Sequence, residues 1–263
     1  MGNQVQRRQR MKQEYLAAIR YAKIYGADHY NLGLAESAGE DPLSLQRNLV
    51  ERLIDRTPID KRSALVDVGS GIGGAVYQIA REREARLAVG LELRWPNLCY
   101  AVEQGRDLNG RRRPVFVQGD AQSLPLATGS FDVIFSLESA FHYPDKGTFL
   151  RECHRVLRPG GHLLIGDLVA ERKLPRLVSR SQGAFFWSGR DYSQALDRCG
   201  LLLESTEDVS VLVVNSIRLA LRWTRQKGIR SWWPCRKCLL GVWGAGRLLR
   251  QGRLRYILLR ARA

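Results

Sequence analysis

A glycine-rich loop is the first feature of this chain that could do chemistry. The stretch Asp67-Val68-Gly69-Ser70-Gly71-Ile72-Gly73-Gly74 follows a short apolar run and opens a helical pattern. Glycines there permit a tight turn and let a ligand approach the backbone closely. A helix N-terminus also offers free N–H groups to an anion. Because Gly69, Gly71 and Gly74 satisfy the pattern GxGxxG, the loop alone leaves a dinucleotide ligand open.

Acidic residues around this loop narrow the choice of ligand. Asp67 stands two residues before the first glycine, where it would repel a pyrophosphate and attract an ammonium group. Glu92 ends the next apolar run, nineteen positions after Gly73, and a carboxylate there can accept hydrogen bonds from both ribose hydroxyls. Asp120, followed by Ala121, ends the third run and could accept from an adenine amino group. The alternatives are a solvated strand end for Glu92 and a turn or helix cap for Asp120.

Two further residues could move a proton. His142 follows the fourth apolar run and Asp167 ends the fifth. An imidazole has a pKa near neutrality, so His142 could take the proton from a hydroxyl nucleophile while Asp167 orients or assists it. The alternative is that His142 packs beneath a loop and Asp167 caps a turn.

Alternating short apolar runs and helical patterns are the elements that must position these residues. Continuous apolar strands separated by helices are typical of a parallel sheet covered by helices on both faces. The predicted strands cover 64–68, 87–92, 115–117, 131–136, 162–167, 201–208 and 254–259, and the predicted helices cover 73–84, a stretch from Pro96, 145–157 and 191–199. Pro159-Gly160-Gly161 predicts a turn before the fifth strand. The fold class is therefore α/β, with a Rossmann-like, seven-stranded, mostly parallel doubly wound sheet, and an antiparallel last strand is left open.

Three regions follow from this pattern. Residues 1–60 predict an N-terminal helical cap, with a basic amphipathic helix over 5–26 and a second helix beginning at Asp41-Pro42. Residues 61–209 form the core with the glycine-rich loop. Residues 210–263 comprise a basic, tryptophan-bearing helical insertion over 210–250 and the final strand. A cap of this length before the first strand argues against a dinucleotide-binding fold, which begins near its first strand.

Four stretches resemble the motifs of class I methyltransferases that use S-adenosylmethionine (SAM). They are Asp67 to Gly73, Gly119 to Pro125, Phe131 to Ile134 and Arg155 to Gly161. Their order and spacing extend the resemblance over roughly residues 30–209, with a weaker similarity at the final strand. The resemblance implies SAM as the cofactor, bound by the residues already described around the loop and by Ser136 and Leu137 at the end of the fourth strand. In similar enzymes the region around Tyr30 folds over the cofactor as a lid, although ordinary aromatic packing is equally open.

Within that class, Glu138 to Asp145 resembles natural-product and lipid O-methyltransferases, among them the phthiotriol/phenolphthiocerol and sugar groups. The sugar group often carries a His-His pair, whereas this chain has Phe141 and His142, and that difference weakens the transfer of a base role. Glu138 could line the methyl-donor pocket or be structural. The Pro-Pro-Tyr motif of nucleic-acid amino methyltransferases is absent from the sequence.

Charge is concentrated at one end of the chain. The net charge is +16, and no acidic residue follows Asp208. The basic residues after that point are Arg218, Arg222, Arg225, Lys227, Arg230, Arg236, Lys237, Arg247, Arg250, Arg253, Arg255, Arg260 and Arg262. Basic amphipathic helices with tryptophan suit a substrate lid, a peripheral membrane contact or an anionic partner, and nucleic acid is the least favoured of these. Cys235 and Cys238 have metal-ligand spacing without a second pair, so no metal is expected.

These observations predict an enzyme that transfers a methyl group from SAM to a hydroxyl, or to carbon or nitrogen, of a small, lipophilic, lipid-like or natural-product substrate. An RNA-modifying enzyme that uses the basic segment, a membrane-associated lipid methyltransferase and a non-catalytic SAM-binding protein stay open as alternatives. A cytoplasmic location, with the membrane contact as an addition, is expected, and a homodimer is left open.

Overall fold

The computed structural model describes residues 28–37, 39–55, 57–108, 113–171, 174, 184–226 and 233–263. The helix predicted over 5–26 lies outside these residues. The helices are α1 (Pro42–Ile54), α2 (Gly74–Arg83), α3 (Trp95–Gln104), α4 (Lys146–Val156), α5 (Gly189–Arg198), α6 (Ser210–Gln226) and α7 (Trp233–Arg250). The strands are β1 (Ala64–Val68), β2 (Leu87–Glu92), β3 (Val115–Gln118), β4 (Phe131–Leu137), β5 (Leu157–Val169), β6 (Leu202–Asp208) and β7 (Arg255–Arg262).

The seven strands form one sheet in the order β3-β2-β1-β4-β5-β7-β6. Strands β1 to β5 run parallel, whereas β7 is antiparallel to both β5 and β6. All five residues of β1 are buried, as a parallel strand covered on both faces requires. The predicted α/β fold, with a mostly parallel doubly wound sheet, is confirmed, and the last strand is the antiparallel one.

The fifth strand begins earlier than the sequence suggests. We expected Pro159-Gly160-Gly161 to form a turn before a strand over 162–167, but β5 extends from Leu157 to Val169. Phe131 pairs with Leu157 and Val133 with His162, so the proline-glycine stretch bulges out of the ladder while the strand continues. The end of the chain holds this bulge, because Gly160 N donates to Ala263 O at 2.8 Å and Ala263 N donates to Gly161 O at 2.9 Å.

Two apolar clusters cover the two faces of the sheet. One contains residues of α4 and α5, including Phe149, Leu150 and Tyr192. The other contains residues of α1, α2, α6 and α7, including Leu49, Ile79, Val213 and Leu249. The predicted insertion thus consists of two helices, α6 and α7, that lie between β6 and β7 in the chain and pack on the core with one side. Among the described residues, no helix combines the length and apolar character needed to cross a membrane.

The carboxyl ends of the parallel strands lie at one edge of the sheet. This is the edge where open α/β sheets bind their ligands. Asp67 and Glu92 lie at or near the ends of β1 and β2, and Leu137 ends β4. The predicted site residues therefore share this edge, at different places along it.

Candidate functional site

The glycine-rich turn leaves β1 in a conformation that side chains disfavour. Gly69, Gly71 and Gly73 have φ values of 82°, 56° and 89°, in the left-handed region that glycine adopts without strain. A Cβ on Gly69 would lie 2.5 Å from Ser139 Cβ and 2.7 Å from Tyr143 Oη. Gly69 N and Ser70 N both donate to Leu91 O, at 2.8 and 3.0 Å, which ties the turn to the end of β2. The turn therefore depends on glycine for both its shape and its space.

Two buried carboxylates lie beside this turn. Asp67 is 3% exposed and Glu92 is 6% exposed. Burial, together with the charge of Glu92, raises the pKa of Asp67 well above its usual range. Burial also raises the pKa of Glu92, although Glu92 accepts hydrogen bonds from Arg94 N at 2.8 Å and Gly71 N at 2.9 Å. Two buried acids, one of which raises the pKa of the other, form a place where a cation is stabilised.

Polar groups near these acids fit a polar ligand. Ser70 Oγ is buried without a hydrogen-bond partner among the described residues, and the buried side-chain amide of Asn97 interacts with Glu92. Ser70 is in the turn, and Asn97 is in the first turn of α3, which begins three residues after Glu92. An unpaired buried polar group costs about 1–3 kcal/mol, so a ligand with hydroxyl or amine groups would regain that bond. The donors and acceptors of this place therefore suit a nucleoside that carries a positive charge.

Asp120 and Ala121 follow β3 on the same side. Asp120 is exposed, and its Oδ1 accepts from Gln122 N at 2.8 Å. This bond is the turn role that the sequence analysis named as the alternative to an adenine contact. Ala121 is buried. Gly119 N donates to Glu92 O at 3.2 Å, so this turn is joined to the end of β2. The turn bond uses only Oδ1, so Oδ2 of Asp120 could still accept from an adenine, and that role stays a prediction.

Ser136 is linked to the start of the glycine turn through Ser139. It is fully buried, and its Oγ lies 2.6 Å from Ser139 Oγ. Ser139 Oγ and Tyr143 Oη both donate to Val68 O, at 2.9 and 3.0 Å. Burial raises the pKa of Tyr143 beyond any physiological value, so this hydroxyl keeps its proton. The contacts of Ser139 and Tyr143 were missed from the sequence, since neither residue belongs to the glycine pattern.

His142 ends a short 3-10 helix, Ala140–His142, just after β4. Its side chain is partly buried, and its ring centroid lies 4.2 Å from that of Phe141. Phe141 in turn stacks on Phe186, with centroids 6.1 Å apart and planes 18° apart. Leu137, the last residue of β4, is also partly buried. His142 therefore lies against an aromatic ring after β4, the strand next to β1 on the side away from β2.

Both carboxylate oxygens of Asp167 are hydrogen-bonded within the fold, and its catalytic role stays a prediction. It is fully buried, and its carboxylate accepts from Tyr192 Oη at 2.5 Å and from Phe141 N at 3.2 Å. Burial raises the pKa of Asp167 to about 6, against the opposing effect of Lys146. Burial also lowers the pKa of Lys146 to about 8. Lys146 and Tyr192 were missed from the sequence, although the helical spacing of Tyr192, Ala195 and Leu196 signals a buried helix face.

Glu138 joins three distant parts of the chain. Its φ is 51°, unusual for a residue with a side chain. Its Oε1 accepts from Leu32 N at 2.8 Å and from Tyr256 Oη at 3.0 Å. Burial raises the pKa of Glu138 to about 7. Ser216 Oγ of α6 donates to Leu32 O at 2.7 Å, so the cap segment is held at both backbone groups of Leu32.

Tyr30 lies in the same cap segment and is 51% exposed. Its neighbour His29 is buried, with Nε2 2.8 Å from Gln78 Oε1 of α2. A Cβ on Gly74 would lie 2.0 Å from Asp28 O, so the segment passes directly over the start of α2. The lid role of Tyr30 stays a prediction, and its segment does run along the helix that follows the glycine turn.

Metal ligands are not grouped at this edge. Among the described residues, no cluster of three or more His, Cys, Asp or Glu side chains could hold a metal ion. The side chains of Cys235 and Cys238 lie outside the described part of the structure.

Comparison with known proteins shows a family that part of the chain resembles. The family described as "Methyltransferase domain" matches residues 66–165, from β1 to the middle of β5. This match covers the glycine turn, both acids and His142, and it confirms the family expected from the four sequence motifs.

Relatives agree with that assignment. The chain is 33% identical to the 27-O-demethylrifamycin SV methyltransferase of Amycolatopsis mediterranei (strain S699), over 62% of this chain and 62% of that protein. It is also 33% identical to the phthiotriol/phenolphthiotriol dimycocerosates methyltransferase of Mycobacterium leprae (strain TN), over 54% of this chain and 51% of that protein. The chain thus spans between half and two thirds of the length of these relatives.

A solved structure shows the same fold over nearly the whole chain. It is geranyl diphosphate C-methyltransferase from Streptomyces coelicolor A3(2), determined with Mg²⁺, geranyl diphosphate and S-adenosyl-L-homocysteine. The TM-score is 0.76 at 18% identity, covering 94% of this chain and 97% of that one. The methyltransferase fold therefore includes the cap segment and the α6–α7 insertion as well as the core.

Proposed function

We propose that this protein transfers a methyl group from SAM to a hydroxyl of a small, lipophilic, natural-product or lipid-like molecule. The observation that carries the proposal is the pair of buried carboxylates, Asp67 and Glu92, beside the glycine turn of a methyltransferase domain. When bound, SAM supplies a methyl group activated by a positively charged sulfonium. SAM also carries an ammonium, a ribose diol and an adenine, which are the groups that this edge is equipped to bind.

Each residue predicted to bind the cofactor then has a role. Asp67 stabilises positive charge on the cofactor, and Glu92 accepts from the ribose hydroxyls. Asp120 and Ala121 bind the adenine end. Ser136 and Leu137 border the end that carries the methyl group, and Tyr30 closes over the site with the cap.

His142 is the group that takes the proton. A hydroxyl is a weak nucleophile, and a base near neutral pKa assists its attack. The ring of Phe141 beside it, on which Phe186 stacks, suits an apolar acceptor. The names of two relatives give 27-O-demethylrifamycin SV and phthiotriol/phenolphthiotriol dimycocerosates as their substrates, and we take these as models for the acceptor. We therefore place the acceptor hydroxyl between SAM and His142.

Binding and turnover test the proposal together. Isothermal titration of the full chain with SAM and with S-adenosylhomocysteine measures the cofactor step. Incubation with SAM and a panel that contains 27-O-demethylrifamycin SV and phthiotriol-type lipids measures the transfer, through release of S-adenosylhomocysteine and a mass gain of one methyl group. We expect micromolar cofactor binding and methylation of a hydroxyl in at least one class of the panel. No cofactor binding would overturn the proposal, and methylation at carbon or nitrogen alone would overturn the hydroxyl assignment.

The outer side of α6 and α7 supports a second part of the proposal, a contact with an anionic lipid surface. Arg218, Arg222 and Arg225 are exposed along α6, and Arg247 and Arg250 are exposed along α7. Trp243 is 48% exposed and lies against Arg247, whose guanidinium is 5.7 Å from the ring centroid. A basic face with an exposed tryptophan suits the interface of a membrane.

Vesicles test this contact. Co-sedimentation with phosphatidylcholine vesicles should be weak and should rise when phosphatidylglycerol is included. The variant Arg218→Gln/Arg222→Gln/Arg225→Gln should lose that increase. A control with the same loss of charge on the other face of the sheet, Arg151→Gln/Arg190→Gln/Arg198→Gln, should keep it. Equal binding by both variants would overturn the contact, and a salt-sensitive shift of RNA without vesicle binding would favour nucleic acid instead.

A further inference from the structure

Both backbone groups of Phe141 are hydrogen-bonded, one to the buried side chain of Asp167 and the other to the backbone of Phe185. Phe141 N donates to Asp167 Oδ1 at 3.2 Å. Phe141 O accepts from Phe185 N at 2.6 Å. These bonds come from β5 and from the segment that leads into α5, so the residue next to His142 is fixed by two parts of the chain that are distant from it in sequence.

The two bonds belong to one closed chain of contacts. Tyr192 Oη donates to the other oxygen of Asp167 at 2.5 Å. The Tyr192 ring meets the Trp187 ring edge to face, with centroids 5.3 Å apart and planes 64° apart. Lys146 Nζ lies 5.5 Å from the centroid of Trp187 and donates to Phe185 O. Phe185 then donates back to Phe141, and we call these six residues the Phe141 clasp.

Burial shows that the clasp is not a surface arrangement. Asp167, Lys146 and Tyr192 are each fully buried. A buried ammonium and a buried carboxylate are costly to keep, and replacing such groups by apolar residues is often neutral or stabilising. Stability alone is therefore a weak reason for Lys146 and Asp167 to be here. Their contacts converge on Phe141, whose ring lies against His142, and on the segment 185–187, in which Phe186 stacks on Phe141.

We propose that Lys146 and Asp167 are positioning residues. They act through Phe141 and the 185–187 segment to hold His142 in place, together with the rings of Phe141 and Phe186 against which the acceptor would bind. Lys146 holds the carbonyl of Phe185, and Asp167 holds the N–H of Phe141. This assigns Asp167 a role one step away from the reacting atoms instead of a catalytic one. The inference rests on the proposed function, because it assumes that the acceptor binds at this end of the site.

Conservative variants separate positioning from folding. Asp167→Asn and Lys146→Met keep the side-chain volume, and Tyr192→Phe removes one hydroxyl. Tyr77→Phe is the matched control, since Tyr77 Oη is also buried and donates to Ala101 O at 2.8 Å, away from the clasp. Asp167→Ala removes both acceptor oxygens and should be more severe than Asp167→Asn.

Hydrogen–deuterium exchange on the full chain gives a readout that needs no substrate. In the three clasp variants we expect faster exchange in peptides over 139–143 and 185–187, with exchange over 67–74 unchanged. The Tyr77→Phe control should leave both regions as in the wild type. Equal acceleration at 67–74 would show a general structural role and would overturn the inference, as would unchanged exchange at 139–143.

Kinetics give the second readout. We expect acceptor kcat/KM to fall about tenfold in Asp167→Asn and Lys146→Met, as for loss of a hydrogen bond to a charged group, while the Kd for SAM stays within about twofold of the wild type. Wild-type kinetics in all three variants would also overturn the inference. If the wild-type chain fails to bind SAM or to methylate any acceptor, the proposed function fails, whereas the exchange experiment still decides whether the clasp holds Phe141.

Discussion

At the β1–β2 end of the site, acidic and glycine residues surround the turn, whereas at the β4–β5 end His142 lies against the ring of Phe141, on which Phe186 stacks. We call these the cofactor half and the acceptor half. In the cofactor half, Asp67 lies two residues before the first glycine of the turn, and Glu92 at the end of β2 accepts from Gly71 N. In the acceptor half, Phe141 is bonded by β5 and by the segment before α5, and Lys146 of α4 bonds that segment in turn.

This difference has a physical basis. The cofactor half binds by backbone approach and charge, and its glycines and acids stand in local patterns at the ends of successive strands. The acceptor half must shape a pocket for one molecule, and packing between distant elements determines that shape. One fold can thus keep its cofactor site while its acceptor changes. Substitutions in the two halves should therefore affect different steps of the reaction.

Replacement of His142 by Ala should have the largest effect on turnover. Loss of a general base lowers the rate by about 100-fold or more, so we expect a drop of this size in kcat with a SAM Kd within about twofold of the wild type. Steady-state release of S-adenosylhomocysteine and titration calorimetry measure the two quantities. The variant His154→Ala, on the exposed side of α4, is the control. Turnover equal to the wild type would remove the base role from His142.

Replacement of Glu92 by Ala should change the Kd for SAM much more than it changes kcat. Glu92 accepts from Gly71 N and Arg94 N, and in our proposal from the ribose as well. Loss of charged hydrogen bonds should weaken SAM binding by about 3 kcal/mol, or about 100-fold in Kd. At saturating SAM, kcat should fall much less. Glu103→Ala, at an exposed position of α3, is the control, and an unchanged Kd in the Glu92 variant would overturn the ribose role.

The same difference explains what the sequence could predict. Asp67, the glycines and Glu92 are visible because strand ends, glycine spacing and charge are local patterns. The strands were predicted from apolar runs, and the early start of β5 was missed because Pro159 and Gly160 favour a turn unless the partner strand continues past them. The direction of β7 was not predicted, since the sequence of a single strand does not determine whether it pairs parallel or antiparallel.

Lys146 shows why the acceptor half was less predictable. A lysine in the first turn of a helix, next to the N-cap Asp145, is normally solvated, and only the placement of Phe185 and Trp187 against it makes it a buried donor. Asp167 was identified at the correct strand end, but its partners Tyr192 and Phe141 come from other elements. Function at this end therefore depends on contacts that no local motif contains.

Replacement of Gly69 by Ala tests whether the turn of the cofactor half needs glycine for space as well as shape. Its φ is 82°, and a Cβ would meet Ser139 Cβ at 2.5 Å. We expect a loss of at least about 2 kcal/mol in the free energy of unfolding, because a clash adds to the left-handed backbone cost of about 1–2 kcal/mol. Gly129 has a φ of 61° with open space around its Cβ position. The Gly129→Ala control should therefore show the backbone cost alone, and equal losses in urea unfolding would contradict the steric argument.

The smallest effect concerns Glu138, which joins the cap to both halves. Burial raises its pKa from the usual 4.5 to about 7. The folded protein therefore holds this proton more tightly than the unfolded chain does, so the free energy of unfolding falls as the pH rises through that window. The contribution of this one carboxyl should be on the order of 1–3 kcal/mol.

The Glu138→Gln variant isolates this contribution, because the amide resembles the protonated carboxyl and does not titrate. Asp167, whose pKa is also raised, to about 6, gives a slope of the same sign in an overlapping window, and that slope remains in both proteins. Urea unfolding at pH 5 and pH 8 should therefore show a smaller decline for the variant than for the wild type. Parallel declines would mean that Glu138 does not keep its proton in the folded state. In that case the cap would be held to the β4 end by an ionised carboxylate, and closure over SAM would be insensitive to pH near neutrality.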